Sequence, residues 1–375
     1  MHILVTGGAG YIGSHTVLAL LDAGHEVTVL DNFQNSSPTA LSRVEELAGV
    51  PVPCLTTDLS DSVAVRTAVA ATSPDVVVHF AGLKSVGDST TDPLRYFVGN
   101  VGGALNLLEA MEASGVRHLL FSSSATVYGS PRRVPVSENE PLSATNPYGR
   151  TKLIIEHMLG DLAAADDRWS IGILRYFNPV GAHPSGRLGE DPRGTPANLV
   201  PFVGQVAVGQ RPFVEVFGSD YDTPDGTGMR DFIHVLDLAE GHVAALNWIV
   251  GKTGVHTWNL GTGRGYTVLE VLRAYSEAVG RDIPFCLAER RPGDIAASFA
   301  ETSKAERELG WKARHGLPEM VADHWRWQRR NPGGYESSPP GSVNASSEAH
   351  ERTDAEVELS ERGQGGRVRR GRRRA

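Results

Sequence analysis

The sequence predicts an α/β fold in which a parallel β-sheet is covered by helices on both faces. Short β-branched runs alternate with helix-like segments through the first half of the chain. These runs are apolar almost throughout, as expected of strands that are buried on both faces. A glycine-rich turn, "TGGAGYIG", follows the first run and opens a helix-like segment, which is typical of a doubly wound sheet of the Rossmann type.

The predicted elements follow each other in a regular order. The first strand is "HILVTG", and the helix "YIGSHTVLALLDAG" after it ends at Gly24. The strands "EVTVLD", "PCLTTD", "DVVVHFAG" and "RHLLFSSS" come next, with helices such as "GALNLLEAMEASG" between them. From about Val180 to Asp231 the chain is rich in Pro, Gly, Asn and Asp and is predicted to be mostly loop. The helix "HVLDLAEGHVAALNWI", the strand "HTWNLGTG" and the amphipathic helix "TVLEVLRAYSEAVG" follow.

These elements predict three regions. Residues 1–179 form a dinucleotide-binding Rossmann domain, to which a strand and a helix near 232–262 return. Residues 180–330 form mainly a smaller C-terminal α/β lobe for the substrate. Residues 331–375 are predicted to be a disordered Arg-rich tail, because the segment from Ser337 on lacks the apolar content to pack and its last nine residues, "RVRRGRRRA", carry six arginines.

The composition excludes several classes of function. The formal net charge is −8, and before Ser337 the chain has 28 basic against 38 acidic residues, which argues against a general nucleic-acid binder. With only Cys54 and Cys286, and no Cys-x-x-Cys or His-Glu-x-x-His spacing, we expect neither a disulfide framework nor a metal site. No apolar run approaches the roughly 18 residues of a membrane span, and the N-terminus lacks the basic region of a signal peptide. We therefore expect a cytoplasmic protein.

The glycine-rich turn predicts a dinucleotide site. Gly7, Gly10 and Gly13 lie between the first strand and the first helix, where glycines let the backbone approach a pyrophosphate and the helix N-terminus faces its charge. Asp31 ends the second strand, 18 residues after Gly13. A carboxylate there would bind both ribose hydroxyls of NAD and repel the 2′-phosphate of NADP. NAD is therefore the predicted cofactor, and Asp58, at the end of the third strand, is placed to reach the adenine.

A tyrosine and a lysine four residues apart predict a catalytic pair. In "NPYGRTK", Asn146 can cap a helix and Pro147 fits its first turn, so Tyr148 and Lys152 project from one face. Tyrosine acts as a base at neutral pH only if its pKa falls from about 10 to about 7, roughly 4 kcal/mol of phenolate stabilisation. A nearby ammonium and the positive nicotinamide of NAD⁺ could supply that. Ser124, at the end of a strand, would hydrogen-bond the oxygen whose proton moves.

Ten segments of the chain resemble the extended short-chain dehydrogenase/reductase superfamily and, within it, the UDP-glucose 4-epimerase family. They run in order from Met1 to about Gln328, leaving only the tail outside. One of them is "LRYFNPVGAHPSGRLGEDP", whose part "LRYFNPVGAHPSG" is far more specific than the glycine motif. The others are "VTGGAGYIGSHT", "LDNFQNS", "HFAGLKSVG", "FSSSATVYG", "NPYGRTK", "NLVPFV", "DGTGMRDFIHVLDLAEGH", "NLGTG" and "RRPGD".

The resemblance implies reversible C4 epimerisation of UDP-glucose and UDP-galactose, in galactose metabolism, with tightly bound NAD. Tyr148 would take the proton of the 4-hydroxyl while C4 gives up its hydride. The 4-keto sugar would then turn over about its diphosphate link and regain the hydride on its other face. The resemblance also implies a homodimer, with Leu153, Ile154 and Met158 as a seam. Packing of these residues within the chain is the alternative.

The resemblance assigns contacts motif by motif. Arg230 and Arg291 would bind the diphosphate, which needs guanidinium partners when buried, although a surface ion pair is the alternative for each. Beyond the glycines, the contacts to NAD are Tyr11, Ile12, Asp31, Asn32, Asn35, Ser36, Asp58, Leu59, Phe80, Ala81, Gly82, Lys84, Asn100, Tyr148, Lys152 and Phe177. The contacts to the nucleotide sugar are Ser124, Asn178, Asn198, Leu199, Phe217, Arg230, Arg291, Asp294 and Ser298.

Two positions depart from the family pattern. Gly99 stands where the family often has the first residue of an Asn-Asn pair, which leaves Asn100 alone. Ser298 stands where some epimerases carry a bulky Tyr against the C2 side of the sugar. By analogy, the small side chain makes room for an N-acetyl group, so UDP-N-acetylglucosamine and UDP-N-acetylgalactosamine are additional candidate substrates.

Other functions share the fold and the Tyr/Lys pair. They are a nucleotide-sugar 4,6-dehydratase or decarboxylase, a net-redox dehydrogenase and a non-catalytic dinucleotide sensor. A sensor would be expected to lack Tyr148 or Lys152. A 4,6-dehydratase needs an acid and a base, and in such relatives an Asp-Glu pair occupies the positions of Ala125 and Thr126. A methyl group and a hydroxyl cannot do that work, so the sequence favours an epimerase.

Overall fold

The computed structural model describes residues 1–291 and 293–336. The strands, in chain order, are β1 (His2–Thr6), β2 (Glu26–Asp31), β3 (Cys54–Thr56), β4 (Val76–His79), β5 (His118–Ser124), β6 (Ser170–Tyr176), β7 (Asn178–Val180), β8 (Val214–Phe217), β9 (Met229–His234), β10 (Gly254–Leu260), β11 (Gly265–Thr267), β12 (Phe285–Ala288) and β13 (Ala297–Ser298). The helices are α1 (Tyr11–Asp22), α2 (Pro38–Ala48), α3 (Ser62–Thr72), α4 (Val86–Thr91), α5 (Pro93–Tyr96), α6 (Gly103–Ala113), α7 (Pro147–Ala165), α8 (Leu199–Ala207), α9 (Val235–Ile249), α10 (Val268–Val279), α11 (Ser303–Leu309) and α12 (Leu317–Arg330).

The main sheet has seven parallel strands in the order β10-β6-β5-β4-β1-β2-β3. Strands β1 and β4 pair with each other although five elements separate them in the chain. The strand order therefore reverses beside β1, which is the point at which doubly wound sheets bind ligands. The predicted Rossmann-type parallel fold is confirmed.

Helices cover both faces of this sheet. Ile3 and Val5 of β1 point to the face covered by α1, α2 and α9. Leu4, between them, points to the opposite face, where α3, α6 and α7 pack. This alternation along a strand that is buried on both sides explains why its sequence is apolar at every position.

The smaller lobe is built around β9. It pairs with β7 and β13 in parallel and with β11 in antiparallel fashion, while β8 and β12 form a separate two-stranded sheet. Helices α8, α10 and α12 share one apolar cluster with these strands. The predicted loop between Val180 and Asp231 thus contains α8, β8 and the start of β9. Conversely, β10 leaves the lobe and joins β6 at the edge of the main sheet.

The packed part of the chain continues past residue 331, where the tail was predicted to begin. Gly334–Glu336 forms a turn of 3₁₀-helix, and Tyr335 is only 8% exposed. Its ring lies 4.8 Å from that of Trp327, and the Arg43 guanidinium lies over both rings. An aromatic side chain that finds such partners orders the backbone around it. The rest of the predicted tail, from residue 337, lies outside the described residues.

In the part of the chain that the structure describes, no helix combines the length and the apolar character needed to span a membrane.

Candidate active site

A cavity of about 1620 Å³ opens at the carboxyl ends of the main-sheet strands and extends to the smaller lobe. All of the residues named above as contacts of NAD or of the nucleotide sugar line it, including Ser124, Tyr148 and Lys152. The residues of the main sheet come together because the ends of parallel strands meet at one edge of the sheet. The smaller lobe supplies the others, such as Phe217 on β8 and Arg230 on β9.

The turn between β1 and α1 brings bare backbone to the cavity. Gly7 has a φ of +72°, and a Cβ on it would lie 2.7 Å from the backbone nitrogen of Ala81. A Cβ on Gly13 would lie 2.2 Å from the carbonyl oxygen of Gly7. Both positions therefore require glycine. The turn ends at Gly10, the N-cap of α1, so the helix N-terminus faces the cavity, as a pyrophosphate would need.

Asp31 and Asp58 form the polar wall beyond this turn. The Asp31 carboxylate is buried and accepts hydrogen bonds from Ala9 N at 3.0 Å, Phe33 N at 2.9 Å and Ser36 Oγ at 2.8 Å. Hydrogen bonds from Ser60 lower the pKa of Asp58, as does a smaller contribution from Asn32. Carboxylates held in this way suit the hydroxyl groups of a nucleoside. Together with the glycine turn, this wall fits the ribose and pyrophosphate of NAD.

Asn100 lines the cavity, but its amide group bonds to the protein. The Oδ1 atom accepts from Leu83 N at 2.7 Å, and Nδ2 donates to Leu83 O and to Thr151 Oγ1, each at 3.0 Å. Asn100 therefore holds the loop after β4, at Leu83, in place. A Cβ on Gly99 would lie 3.4 Å from Cδ1 of Leu83. The absence of the first Asn of the pair leaves the Asn100 anchor intact.

The predicted catalytic residues lie on β5 and α7. Asn146 caps α7 as predicted, with Oδ1 accepting from Gly149 N at 2.8 Å. Lys152 lies one turn of α7 beyond Tyr148. Its Nζ donates to Ser122 O at 2.8 Å and lies 6.0 Å from the centre of the Tyr148 ring. Ser124 hydrogen-bonds the Tyr148 side chain. The chain thus places an amine and two hydroxyl groups beside one another at the cavity wall.

The pKa of Tyr148 differs from what a base requires. Burial raises it to about 12, and the hydrogen bond with Ser124 opposes this only in part. Burial also lowers the pKa of Lys152 to about 8, against the opposing effect of Glu156. Desolvation thus outweighs the favourable contacts that the chain itself provides. The phenolate needs a further positive charge, which the nicotinamide ring of NAD⁺ would bring.

Ser124 is oriented by its neighbour Thr126. Thr126 donates to Ser124 Oγ through its hydroxyl at 3.0 Å and through its backbone nitrogen at 3.2 Å. With two donors on its oxygen, Ser124 can direct its own proton towards the cavity. Ala125 and Thr126 also line the cavity, so the two positions after Ser124 present no carboxylate there.

A buried ion pair lies behind these residues. Arg175 of β6 donates to both carboxylate oxygens of Glu156 on α7, at 3.0 and 2.5 Å. Ser123, next to Ser124, donates to the same carboxylate at 2.5 Å. Arg175 also donates to Tyr128 Oη at 3.0 Å, and Tyr128 donates to Asn259 Oδ1 at 2.7 Å. This network ties α7 to the main sheet directly behind the Tyr148 and Lys152 positions.

On the smaller lobe, the two predicted diphosphate ligands differ in environment. Arg230 is largely enclosed, its pKa is lowered by burial, and it donates to the carbonyl oxygens of Met229 and Ile295. Arg291 is exposed; it pairs with Asp294 at 3.0 Å and lies over the ring of Phe217. Neither guanidinium is saturated by these contacts, because each group carries five N–H donors.

Glu190 is a cavity residue that the sequence did not identify as functional. It lines the cavity and accepts hydrogen bonds from Lys84 Nζ at 2.8 Å and Asn198 Nδ2 at 3.3 Å. The available signal was an acidic residue inside the matched segment "GRLGEDP". Among the described residues there is no cluster of three or more His, Cys, Asp or Glu side chains that could hold a metal ion.

Comparison with known proteins agrees with this geometry. The NAD dependent epimerase/dehydratase family matches residues 3–261. The UDP-glucose 4-epimerase of Bacillus subtilis is 56% identical over 338 residues, which cover 90% of this chain and 100% of that protein. The crystal structure of UDP-glucose 4-epimerase from Bifidobacterium longum in complex with NAD⁺ and UDP is 52% identical, with a TM-score of 0.87, over 89% of this chain and 100% of that one.

A structure of the UDP-Glc/GlcNAc 4-epimerase from Campylobacter jejuni is also similar. It is 37% identical, with a TM-score of 0.77, over 88% of this chain and 99% of that one. The chain belongs to the NAD dependent epimerase/dehydratase family and, within it, to the UDP-glucose 4-epimerases.

Proposed function

We propose that the protein interconverts UDP-glucose and UDP-galactose by inverting C4 through a 4-keto intermediate. The observation that carries this proposal is the cavity wall at the end of β5. Ser124, Tyr148 and Lys152 stand together there, while the two positions after Ser124 hold no carboxylate. Such a wall can support proton transfer at one hydroxyl but offers no acid and base for elimination of the 6-hydroxyl.

The residues that fit NAD are those of the sheet edge. The turn from Gly7 to Gly13 would hold the pyrophosphate, and Asp31 and Asp58 the adenosine end. Lys84 would be a further contact of NAD, and Phe177 would lie near the nicotinamide. When bound, NAD⁺ supplies the acceptor, and later the donor, of the C4 hydride.

The protein's own groups handle the proton and the sugar. Tyr148 takes the proton from the 4-hydroxyl and returns it after inversion, with Ser124 hydrogen-bonded to the reacting oxygen. Lys152 keeps its hydrogen bond to the carbonyl oxygen of Ser122 in β5, and its positive charge stabilises the phenolate. Arg230 and Arg291 bind the diphosphate. The sugar makes weaker contacts, so the 4-keto intermediate can rotate about its link to the diphosphate.

Incubation of the purified protein with UDP-galactose, without added cofactor, tests this function. Product analysis by NMR is expected to show UDP-glucose and no net NADH. A stable 4-keto-6-deoxy sugar would indicate a dehydratase instead. A requirement for stoichiometric added NAD would indicate a net-redox dehydrogenase.

Ser298 is proposed to admit an N-acetylated sugar. It lies in β13, pairs with Arg230 of β9 and lines the cavity, so its small side chain borders the place where the diphosphate is held. The similarity to the UDP-Glc/GlcNAc 4-epimerase of Campylobacter jejuni supports this proposal.

We predict that Ser298→Tyr reduces turnover of UDP-N-acetylglucosamine selectively. A clash of about 1–3 kcal/mol with the N-acetyl group corresponds to a loss of roughly 5- to 150-fold in kcat/KM, whereas UDP-glucose should be affected little. Steady-state kinetics on both sugars measure this, with Ser298→Ala as the control that adds no bulk. Equal losses on the two substrates would contradict the steric explanation.

We also propose a homodimer that works in the cytoplasm, in galactose metabolism. Leu153 and Met158 pack within the chain, but Ile154 of α7 is exposed. Leu94, Val98 and Leu105 are exposed as well, and α5 and the segment of residues 97–102, which carry the first two, pack against α7. Large apolar side chains grouped on neighbouring helices favour an interface between two copies. The free cysteines Cys54 and Cys286 suit a reducing compartment. Light scattering on the protein as it elutes from a size-exclusion column would measure its mass, which should be that of two chains.

A further inference from the structure

Glu190 connects the two sides of the active-site cavity through one carboxylate oxygen. Its Oε1 atom accepts from Lys84, which follows β4 of the main sheet, and from Asn198, the N-cap residue of α8 in the smaller lobe. The Glu190 side chain is 4% exposed, whereas that of Lys84 is 49% exposed. A buried carboxylate is costly unless it is paired and hydrogen-bonded, so these two donors are what make its charge tolerable.

The backbone that carries Glu190 is held from behind by the end of the chain. Trp327 Nε1 donates to Glu190 O at 3.0 Å. Tyr335 Oη donates to Gly189 O at 3.0 Å, and Tyr335 N donates to Asp191 Oδ2 at 2.9 Å. These contacts hold the backbone of Gly189 and Glu190 and the side chain of Asp191, so the segment that carries the carboxylate stays within reach of Lys84 and Asn198.

The surroundings make this contact a link between lobes. Tyr11, in the first turn of α1, donates its hydroxyl to Gly181 O at 2.8 Å, just after β7. The negative charge of Glu190 adds to the effect of burial in raising the pKa of Tyr11. Glu190 therefore also lies near this second hydrogen bond between the two sides of the cavity. Lys84 and Tyr11 belong to the side that fits NAD, while Asn198 and the segment after β7 belong to the side that fits the nucleotide sugar.

We propose that Glu190 is a positioning residue that couples the binding of NAD to the binding of the UDP moiety, by holding Lys84 and Asn198 in register across the cavity. The inference rests on the proposed function, because it takes Lys84 as a contact of the cofactor and Asn198 as a contact of the nucleotide. A nucleotide that orders Asn198 also keeps Glu190 and Lys84 in place, so UDP slows the release of NAD. To the extent that UDP strengthens the equilibrium binding of NAD, linkage requires that NAD strengthen the binding of UDP by the same factor.

The coupling can be measured on the holoenzyme as the rate of NAD release, followed by an enzymatic assay of free NAD, with and without saturating UDP. We expect UDP to slow release by about fivefold or more in the wild type, the lower end of typical couplings between sites. Glu190→Gln keeps the shape but removes the charge that holds Lys84, and the UDP effect should fall below about twofold. The KM for the UDP-sugar should rise more than kcat falls.

The matched control is Glu306→Gln, which removes a carboxylate from an exposed Lys–Glu pair with Lys312 and should keep the full UDP effect. Lys84→Met tests the same link from its other end, and it should abolish the coupling even if Glu190→Gln does not fold. A purely structural role would lower thermal stability but leave the UDP effect intact, and that result overturns the inference. The inference is also overturned if saturating UDP leaves the rate of NAD release from the wild type unchanged. Absence of UDP-galactose turnover in the wild type would instead contradict the proposed function.

Discussion

Replacing Tyr148 with Phe is expected to reduce kcat for the interconversion by about 10²- to 10⁴-fold, the usual contribution of a positioned general acid–base group. The change removes only the hydroxyl that hydrogen-bonds Ser124, and the ring still packs in the cavity wall. The thermal midpoint should therefore change little. Steady-state kinetics with UDP-galactose, together with the amount of bound NAD, measure the effect.

Tyr128→Phe is the matched control for this prediction. The Tyr128 hydroxyl is also enclosed and hydrogen-bonded, but to Asn259 and Arg175 in the network behind the site. Its loss leaves buried partners unsatisfied and should cost about 1–3 kcal/mol of stability, with turnover by the folded protein largely kept. A Tyr148→Phe protein that keeps more than a tenth of the wild-type kcat would exclude Tyr148 as the base.

Replacing Glu156 with Ala is expected to lower the free energy of unfolding by about 3–5 kcal/mol, because it leaves the charge of Arg175 buried without its partner. The side chains of Glu156 and Arg175 are 4% and 7% exposed, and they share two hydrogen bonds. Denaturant titration of the wild type and the variant measures the loss.

Two comparisons separate the ion pair from a general effect of substitution. Glu306→Ala removes a carboxylate from an exposed pair with Lys312 and should cost no more than about 1 kcal/mol. The double change Glu156→Met with Arg175→Met removes both buried charges and should recover much of the lost stability. A loss below about 1 kcal/mol for Glu156→Ala alone would mean that Arg175 finds other partners.

This ion pair also has a functional consequence. Glu156 lies one turn beyond Lys152 on α7 and two turns beyond Tyr148, and it accepts a hydrogen bond from Ser123, the neighbour of Ser124. It therefore sets the distance between the helix that carries Tyr148 and Lys152 and the strand that carries Ser124. Variants of Glu156 that still fold should lose kcat because these groups must be held within a narrow range of positions.

The location of the site could be predicted from the sequence because its residues follow predictable elements. The strand "EVTVLD" predicts β2 to the residue, so the position of Asp31 at the sheet edge follows from the pattern alone. The same holds for Ser124 at the end of β5 and for Asn146 as the cap of α7. Where a strand end or a helix cap fixes a residue, short-range pattern is sufficient.

Features that depend on distant partners could not be predicted. Glu190 acquires its role from Lys84, 106 residues earlier in the chain. The buried position of Tyr335 depends on Trp327 and Arg43, so its segment resembles the polar tail that follows it. Helix α8 and strand β8 are short and lie among Pro and Gly residues, where periodicity is weak. The raised pKa of Tyr148 follows from burial, which sequence spacing does not reveal.

The most direct test of C4 inversion follows the hydrogen on that carbon. The holoenzyme is incubated with UDP-galactose that carries deuterium at C4, without added cofactor, and the sugars are examined by NMR. If C4 is oxidised and then reduced within one closed site, the deuterium should stay at C4 in both UDP-galactose and UDP-glucose. Deuterium at C6 of a 4-keto-6-deoxy product, or its loss to solvent, would contradict the proposed epimerisation.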